Sequence, residues 1–160
     1  MDATEDPQKT LFRVAKLVIE LIALIGALDA AYHIYRYVML PNIKGHWTIT
    51  TITTETRYRP YRDMSLTYNV SLAQPDDGTF SGGGEKIMEN GDYITNGRGH
   101  VRTEYNGTVE RNHIYGHLVE HGIRREFDGS FELHRISGDK WEGTFRCDAA
   151  DSRGTMTMER

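Results

Sequence analysis

Ser65-Leu66-Thr67-Tyr68-Asn69-Val70-Ser71-Leu72-Ala73 decides the fold of this chain. Leu66, Tyr68, Val70 and Leu72 share one face, and Thr67, Asn69 and Ser71 share the other. A period of two rich in β-branched and aromatic residues is the pattern of a half-buried strand. Gln74-Pro75-Asp76-Asp77-Gly78 follows, with the proline and the Asp-Gly pair of a turn.

The same period extends outward on both sides. Residues 46–55 alternate around Trp47, Ile49 and Thr51. Residues 80–88 form a strand containing Gly82, Gly83 and Gly84, and Asn90-Gly91 is a strong hairpin signal. Residues 98–105 and 108–115 are expected to pair across Asn106-Gly107. Residues 117–127 follow, then a turn at Asp128-Gly129. Residues 130–136 and 140–147 pair across Ser137-Gly138-Asp139, and residues 155–160 make the last strand. Short strands joined by tight turns are most simply closed as an up-and-down barrel, because closure removes both sheet edges. The expected fold is therefore all-β, a small barrel of about eight antiparallel strands over residues 45–160. At that size the interior is filled by side chains or holds one small ligand. Gly45-x-Trp47 resembles the start of lipocalin-type barrels, and the glycine run 82–84 permits the coiling a small barrel needs.

Upstream of residue 41 the period changes. Residues 1–10 are a polar tail, and residues 11–41 form one segment with a single glycine, Gly26, ended by Pro41. As a helix, residues 11–40 would run for about 45 Å, long enough to cross a bilayer. Leu11, Val14, Val18, Leu21, Ile25, Leu28, Tyr32, Tyr35 and Met39 alternate steps of three and four, an apolar seam of the coiled-coil kind. Leu17, Ile19, Ile22, Ala23 and Leu24 make the remaining faces apolar as well. Glu20 and Asp29 are costly in hydrocarbon, and each has a partner within one turn, Lys16 for Glu20 and His33 or Arg36 for Asp29. Tyr32, Tyr35 and Tyr37 suit a membrane–water interface. The segment reads as a transmembrane helix that associates with copies of itself through Leu21, Ile25 and Leu28, with Glu20 and Asp29 facing the interface between helices or a water-filled defect; the alternatives are a simple anchor or interfacial helix and a soluble packing helix.

The net charge of −4 argues against a nucleic-acid polymer as partner. A single cysteine, Cys147, permits no intramolecular disulfide. The acidic start of the chain does not resemble a cleaved signal. The sequons at Asn69 and Asn106 would matter only in a secreted domain.

Arg57-Tyr58-Arg59-Pro60-Tyr61-Arg62 is the densest basic and aromatic stretch. Arginine offers forked donors to phosphate, and tyrosine offers a face on which a base stacks. Arg57, Tyr58, Arg59, Tyr61 and Arg62 are therefore candidate ligand contacts, against the plainer reading of a solvated loop. Arg102 and Tyr105 join them from a segment in which one of two alternating faces points into the barrel. His113, His117 and His121 are spaced by four, but strand geometry spreads them over roughly 26 Å, too far for one ion. Ser81-Gly82-Gly83-Gly84-Glu85-Lys86 lacks the ending and the helix of a phosphate loop. No catalytic constellation, metal site or cofactor is expected.

Phe80-Ser81-Gly82-Gly83-Gly84-Glu85-Lys86-Ile87, Gly129-Ser130-Phe131-Glu132-Leu133-His134-Arg135, Gly143-Thr144-Phe145 and Arg153-Gly154-Thr155-Met156-Thr157-Met158-Glu159-Arg160 resemble the CBASS effectors. Those proteins join N-terminal transmembrane segments to a small C-terminal β-barrel. The resemblance implies that the barrel is a receptor for a cyclic di- or oligonucleotide made during phage infection. It further implies that ligand binding drives assembly of the membrane segments as a homo-oligomer, which disrupts the bacterial inner membrane. The family has two membrane helices, whereas this chain has room for one of that length. The barrel is expected in the cytoplasm, with the nucleotide either activating the effector or holding it silent. Two other readings are a membrane-tethered lipocalin-like carrier lined by Trp47, Leu66, Tyr68, Val70 and Leu72, and a structural membrane protein with a filled barrel.

Overall fold

The computed structural model of the chain describes residues 7–75, 77–95, 97, 99–122 and 125–160. The chain divides after Met39 into two units. The expected tail, residues 1–10, lies largely outside the described residues, as does the expected turn residue Asp76, and nothing is described of the side chains of Arg36 and Tyr37.

The first unit is the helix α1, Pro7–Met39. Leu17, Ile22 and Leu24 are exposed, as are Leu21, Ile25 and Leu28 of the seam, so apolar side chains face outward on every side. Two ion pairs join successive turns: Lys16 lies 3.8 Å from Glu20, and His33 lies 3.7 Å from Asp29. These are the one-turn partners that the spacing predicts. Among the described residues no helix is long and apolar enough to cross a membrane. Glu20 and Asp29 leave an unbroken apolar run only from Leu21 to Leu28, about 12 Å of helix against about 30 Å of hydrocarbon. The expectation of a transmembrane helix is corrected on this point; the single long helix stands.

The second unit is a closed antiparallel barrel of eight long strands. They are β1 (Gly45–Glu55), β2 (Ser65–Ala73), β3 (Thr79–Glu89), β5 (Arg102–Glu110), β6 (His113–His121), β7 (Glu126–Ser137), β8 (Lys140–Cys147) and β9 (Ser152–Glu159). A two-residue strand, β4 (Asp92–Tyr93), folds back on β3 through Asn90-Gly91. Both turn residues have positive φ, 52° and 90°, as that hairpin chemistry requires. Each long strand pairs with the next, and β9 returns to β1, with Ile49 opposite Met158 and Thr51 opposite Met156.

Alternation fills the interior. Trp47 and Ile49, Val70 and Leu72, Phe80, Val109, Ile114, Leu133, Trp141 and Met158 are all buried in one cluster. Burying each large apolar side chain contributes about 1.5–3 kcal/mol. The stretch 41–45, expected as a plain linker, closes this end. Ile43 is fully buried, its N–H donates to Gln74 Oε1 at 2.7 Å, and its carbonyl accepts the Trp47 indole N–H at 2.7 Å. The Arg160 guanidinium covers the Trp47 ring at 4.2 Å.

Three expected boundaries are corrected. Asn106-Gly107 is not a turn but the middle of β5, where Gly107 sits opposite Gly116. A Cβ there would come within 2.1 Å of the Tyr115 carbonyl, so the glycine serves close strand approach. The actual reversal is at Arg111-Asn112, with Arg111 at φ 51°. Asp128-Gly129 likewise lies within β7, and the expected strand 117–127 ends at His121 and resumes at Glu126. Gly82 and Gly84 face inward against β2, where a Cβ would meet main-chain oxygens of Ser71 and Asn69 at 2.2 and 2.6 Å.

Candidate functional site

The connections β1–β2, β3–β5, β6–β7 and β8–β9 all lie at the end of the barrel opposite Ile43. At that end the eight strands enclose a cavity of about 970 Å³. Its mouth is formed by loop residues Tyr61, Met64, Gly122, Arg125 and Ala149, and its walls by Leu66, Leu118, Phe127, Phe145 and Met156. Thr51, Thr53 and Ser152 add hydroxyls. The volume falls within the range of small-molecule sites, which are mostly apolar with a few placed polar groups.

Tyr68 and Tyr105 separate the cavity from the core, Tyr105 lying edge-on to Phe131 at 6.2 Å. Tyr68 reaches across the lumen and donates to Glu120 Oε2 at 2.8 Å. Burial pushes the Tyr68 phenol well above its ordinary range, and the Glu120 carboxylate adds to the shift. Tyr105 is pushed up for the same two reasons, burial first, with the nearby Thr103 hydroxyl acting in the opposite direction. Both phenols are therefore donors at neutral pH. Lys86, 9% exposed, turns inward from β3 and pairs with Glu89 Oε2 at 3.2 Å. The Arg125 guanidinium lies over Phe127 at 4.6 Å. Cys147 also lines the cavity, and its thiol is raised to about 11, chiefly by burial.

The structure brings together only part of the predicted set. Tyr61 and Tyr105 line the cavity. Tyr58 packs edge-on against Tyr61 at 4.9 Å but is itself half exposed. Arg57 points away from the lumen, 3.4 Å from Asp151, which Arg146 and Arg153 also approach at 3.2 and 3.9 Å. Arg59 and Arg62 are exposed. Arg102 lies on the outer face, 3.3 Å from Glu104, so its segment turns Val101, Thr103 and Tyr105 inward. The expected convergence of these arginines is thus corrected: none of them lines the cavity. Of the predicted apolar lining, Leu66 and Tyr68 face the cavity, whereas Trp47, Val70 and Leu72 belong to the packed end.

Lys86, Glu120 and Arg125 are the polar groups that sequence reasoning missed. Lys86 has the parity of Gly82 and Gly84, and Glu120 has that of Ile114 and Leu118, so alternation alone places both inside. Arg125 lies in a connection and carries no such signal. The histidines of β6 face outward beside carboxylates, His113 at 3.7 Å from Glu132, His117 at 3.8 Å from Asp128 and His121 at 2.8 Å from Glu126.

No family model and no curated protein matches the chain. Solved structures do. A redesigned β-barrel, mFAP1, bound to DFHBI, is similar with a TM-score of 0.56 at 12% identity, over 74% of this chain and 94% of that one. EF1p2_mFAP2b bound to DFHBI is similar at the same score and identity, over 78% of this chain and 97% of its own. The barrel is similar to designed ones. At such identity the likeness extends to the closed eight-stranded fold alone.

Proposed function

We propose that this protein is a ligand-controlled effector whose barrel binds a cyclic di- or oligonucleotide and whose helix assembles copies of the chain at the bacterial inner membrane. The observation that carries the reading is the open-ended cavity. It combines aromatic faces (Tyr61, Tyr105, Phe127) with cations (Lys86, Arg125), the two things a base and a phosphate need. The resemblance to CBASS effectors supports a role in anti-phage defence by membrane disruption. The exposed apolar faces of α1 support association with lipid and with a second copy. The barrel contributes binding rather than catalysis. The nucleotide controls assembly by favouring one state over the other, to the extent of its differential affinity.

A second reading, a carrier of an apolar ligand, is favoured by one observation: most of the cavity wall is hydrocarbon, and the arginines of the 57–62 segment stay outside it. Thermal unfolding of the full chain in detergent separates the two. A cyclic nucleotide at tenfold its dissociation constant should stabilise the barrel by about 1.4 kcal/mol. Stabilisation by a long-chain fatty acid, with no response to cyclic di- or trinucleotides, would favour the carrier and remove the nucleotide reading.

A further inference from the structure

Among the described residues the cavity holds four charged side chains, and they are not equally committed. Lys86 pairs with Glu89 at 3.2 Å, but Glu89 is half exposed, so the lysine can exchange that partner for an anion. Arg125 rests on the Phe127 ring and, among the described residues, has no carboxylate partner. Glu120 accepts the Tyr68 hydroxyl on Oε2 at 2.8 Å, and its Oε1 has no donor among the described residues. That single bond, made by a buried phenol from across the lumen, fixes the direction in which the carboxylate faces. A matching ligand therefore carries adjacent N–H donors at one end, for Glu120, and an anionic group elsewhere, for Arg125 and Lys86. A planar ring between them would lie against Tyr105 and Phe127.

We infer that Glu120 makes the cavity selective for guanine, reading the N1–H and N2–H pair of a guanine base in a cyclic nucleotide. A carboxylate accepts two parallel donors, here on Oε1 and on the lone pair of Oε2 that Tyr68 leaves free, and guanine alone among the common bases presents two side by side. Adenine and cytosine place an acceptor nitrogen beside the amine, which would set lone pair against lone pair. Uracil offers one N–H between two carbonyls. This inference rests on the proposal that the cavity takes a cyclic nucleotide.

The test is calorimetric titration of the full chain in detergent with cyclic di-GMP, cyclic di-IMP and cyclic di-AMP, which share ring and phosphates. Cyclic di-GMP should bind at least about tenfold more tightly than cyclic di-AMP, with cyclic di-IMP, which lacks the 2-amino group, in between. Glu120→Gln should weaken cyclic di-GMP by about tenfold and leave cyclic di-AMP unchanged, collapsing the series. Equal affinity of the unaltered protein for all three overturns the guanine inference and leaves the nucleotide site standing. An equal loss for all three in Glu120→Gln also overturns it, because a merely structural role would act that way. Binding of none of the three overturns the guanine inference, and a parallel failure of cyclic trinucleotides overturns the nucleotide site as well.

Discussion

Tyr68 and Glu120 meet across the barrel lumen, phenol to carboxylate at 2.8 Å, although β3 and β5 stand between their strands. The bond ties opposite walls together at the inner limit of the cavity. Tyr68→Phe keeps the ring and removes the donor. A hydrogen bond to a charged acceptor contributes about 1.5–3 kcal/mol. The variant should lose stability within that range in urea titration, with the barrel's circular dichroism unchanged.

Three groups near this bond resist deprotonation: Tyr68, Tyr105 and Cys147, each raised chiefly by burial. A group whose pKa is higher in the folded state stabilises the fold below its unfolded value and loses that contribution as the pH climbs. Their contribution to stability should therefore be level through neutral pH and fall from about pH 9 upward. Cys147→Ala should remove the first part of that fall, because the thiol moves from 9.0 to about 11 and the phenols begin to lose theirs only near pH 10. Urea midpoints measured from pH 7 to pH 11 would show it. A midpoint that rises over this interval contradicts the assignment.

Among the described residues Lys86 is the cation most enclosed by the cavity. Lys86→Met keeps the length of the side chain and deletes the charge. Affinity for a cyclic dinucleotide should drop at least about tenfold, since tenfold is about 1.4 kcal/mol and a charged hydrogen bond contributes about 1.5–3 kcal/mol. The melting temperature should change little, since the partner Glu89 is half exposed and can return to water. Unchanged affinity in calorimetry would remove Lys86 from the site.

Gly107 admits no side chain. Gly107→Ala would set a methyl against the Tyr115 carbonyl, and overpacking of this kind costs about 1–3 kcal/mol. Chemical denaturation should place the loss at the upper end of that range, because the obstructing atom belongs to the backbone of β6.

The same glycine explains where the sequence misleads. Asn-Gly is the strongest local signal for a hairpin, and at Asn90-Gly91 it makes one. At Asn106-Gly107 the identical pair lies in mid-strand, because the glycine is needed opposite Gly116, and only the three-dimensional closeness of β5 and β6 reveals that need. Strand parity carried more than local turn chemistry. It placed Leu66, Tyr68, Val70 and Leu72 on the inner face and left one of two faces for Tyr105. The same rule applied to Lys86 and Glu120 would have identified two polar groups of the cavity. What misdirected attention was the density of charge in Arg57 to Arg62, since loop arginines find carboxylates on the outer surface, as Arg57 finds Asp151.

Glu20 and Asp29 interrupt the apolar surface of α1 and are held by Lys16 and His33. On the proposed assembly, Glu20→Leu with Asp29→Leu should increase partition into membranes, by removing two charges from the apolar surface, and alter the toxicity of the expressed protein. Growth curves after induction, with fractionation of the cells, measure both. Identical toxicity with unchanged partition would mean that the acids have no part in assembly.

Every long strand of the barrel neighbours the long strand before it, and closure comes at one seam, where Thr48 meets Glu159 and Ile49 meets Met158. Hairpins can therefore form one after another from contacts close along the chain, each at little loop-closure cost. The last joining must bring together segments more than a hundred residues apart, and it alone turns an open ribbon into a tube. Folding speed should thus be governed by that single long-range docking, and mechanical or thermal opening should begin along the line where β9 lies beside β1.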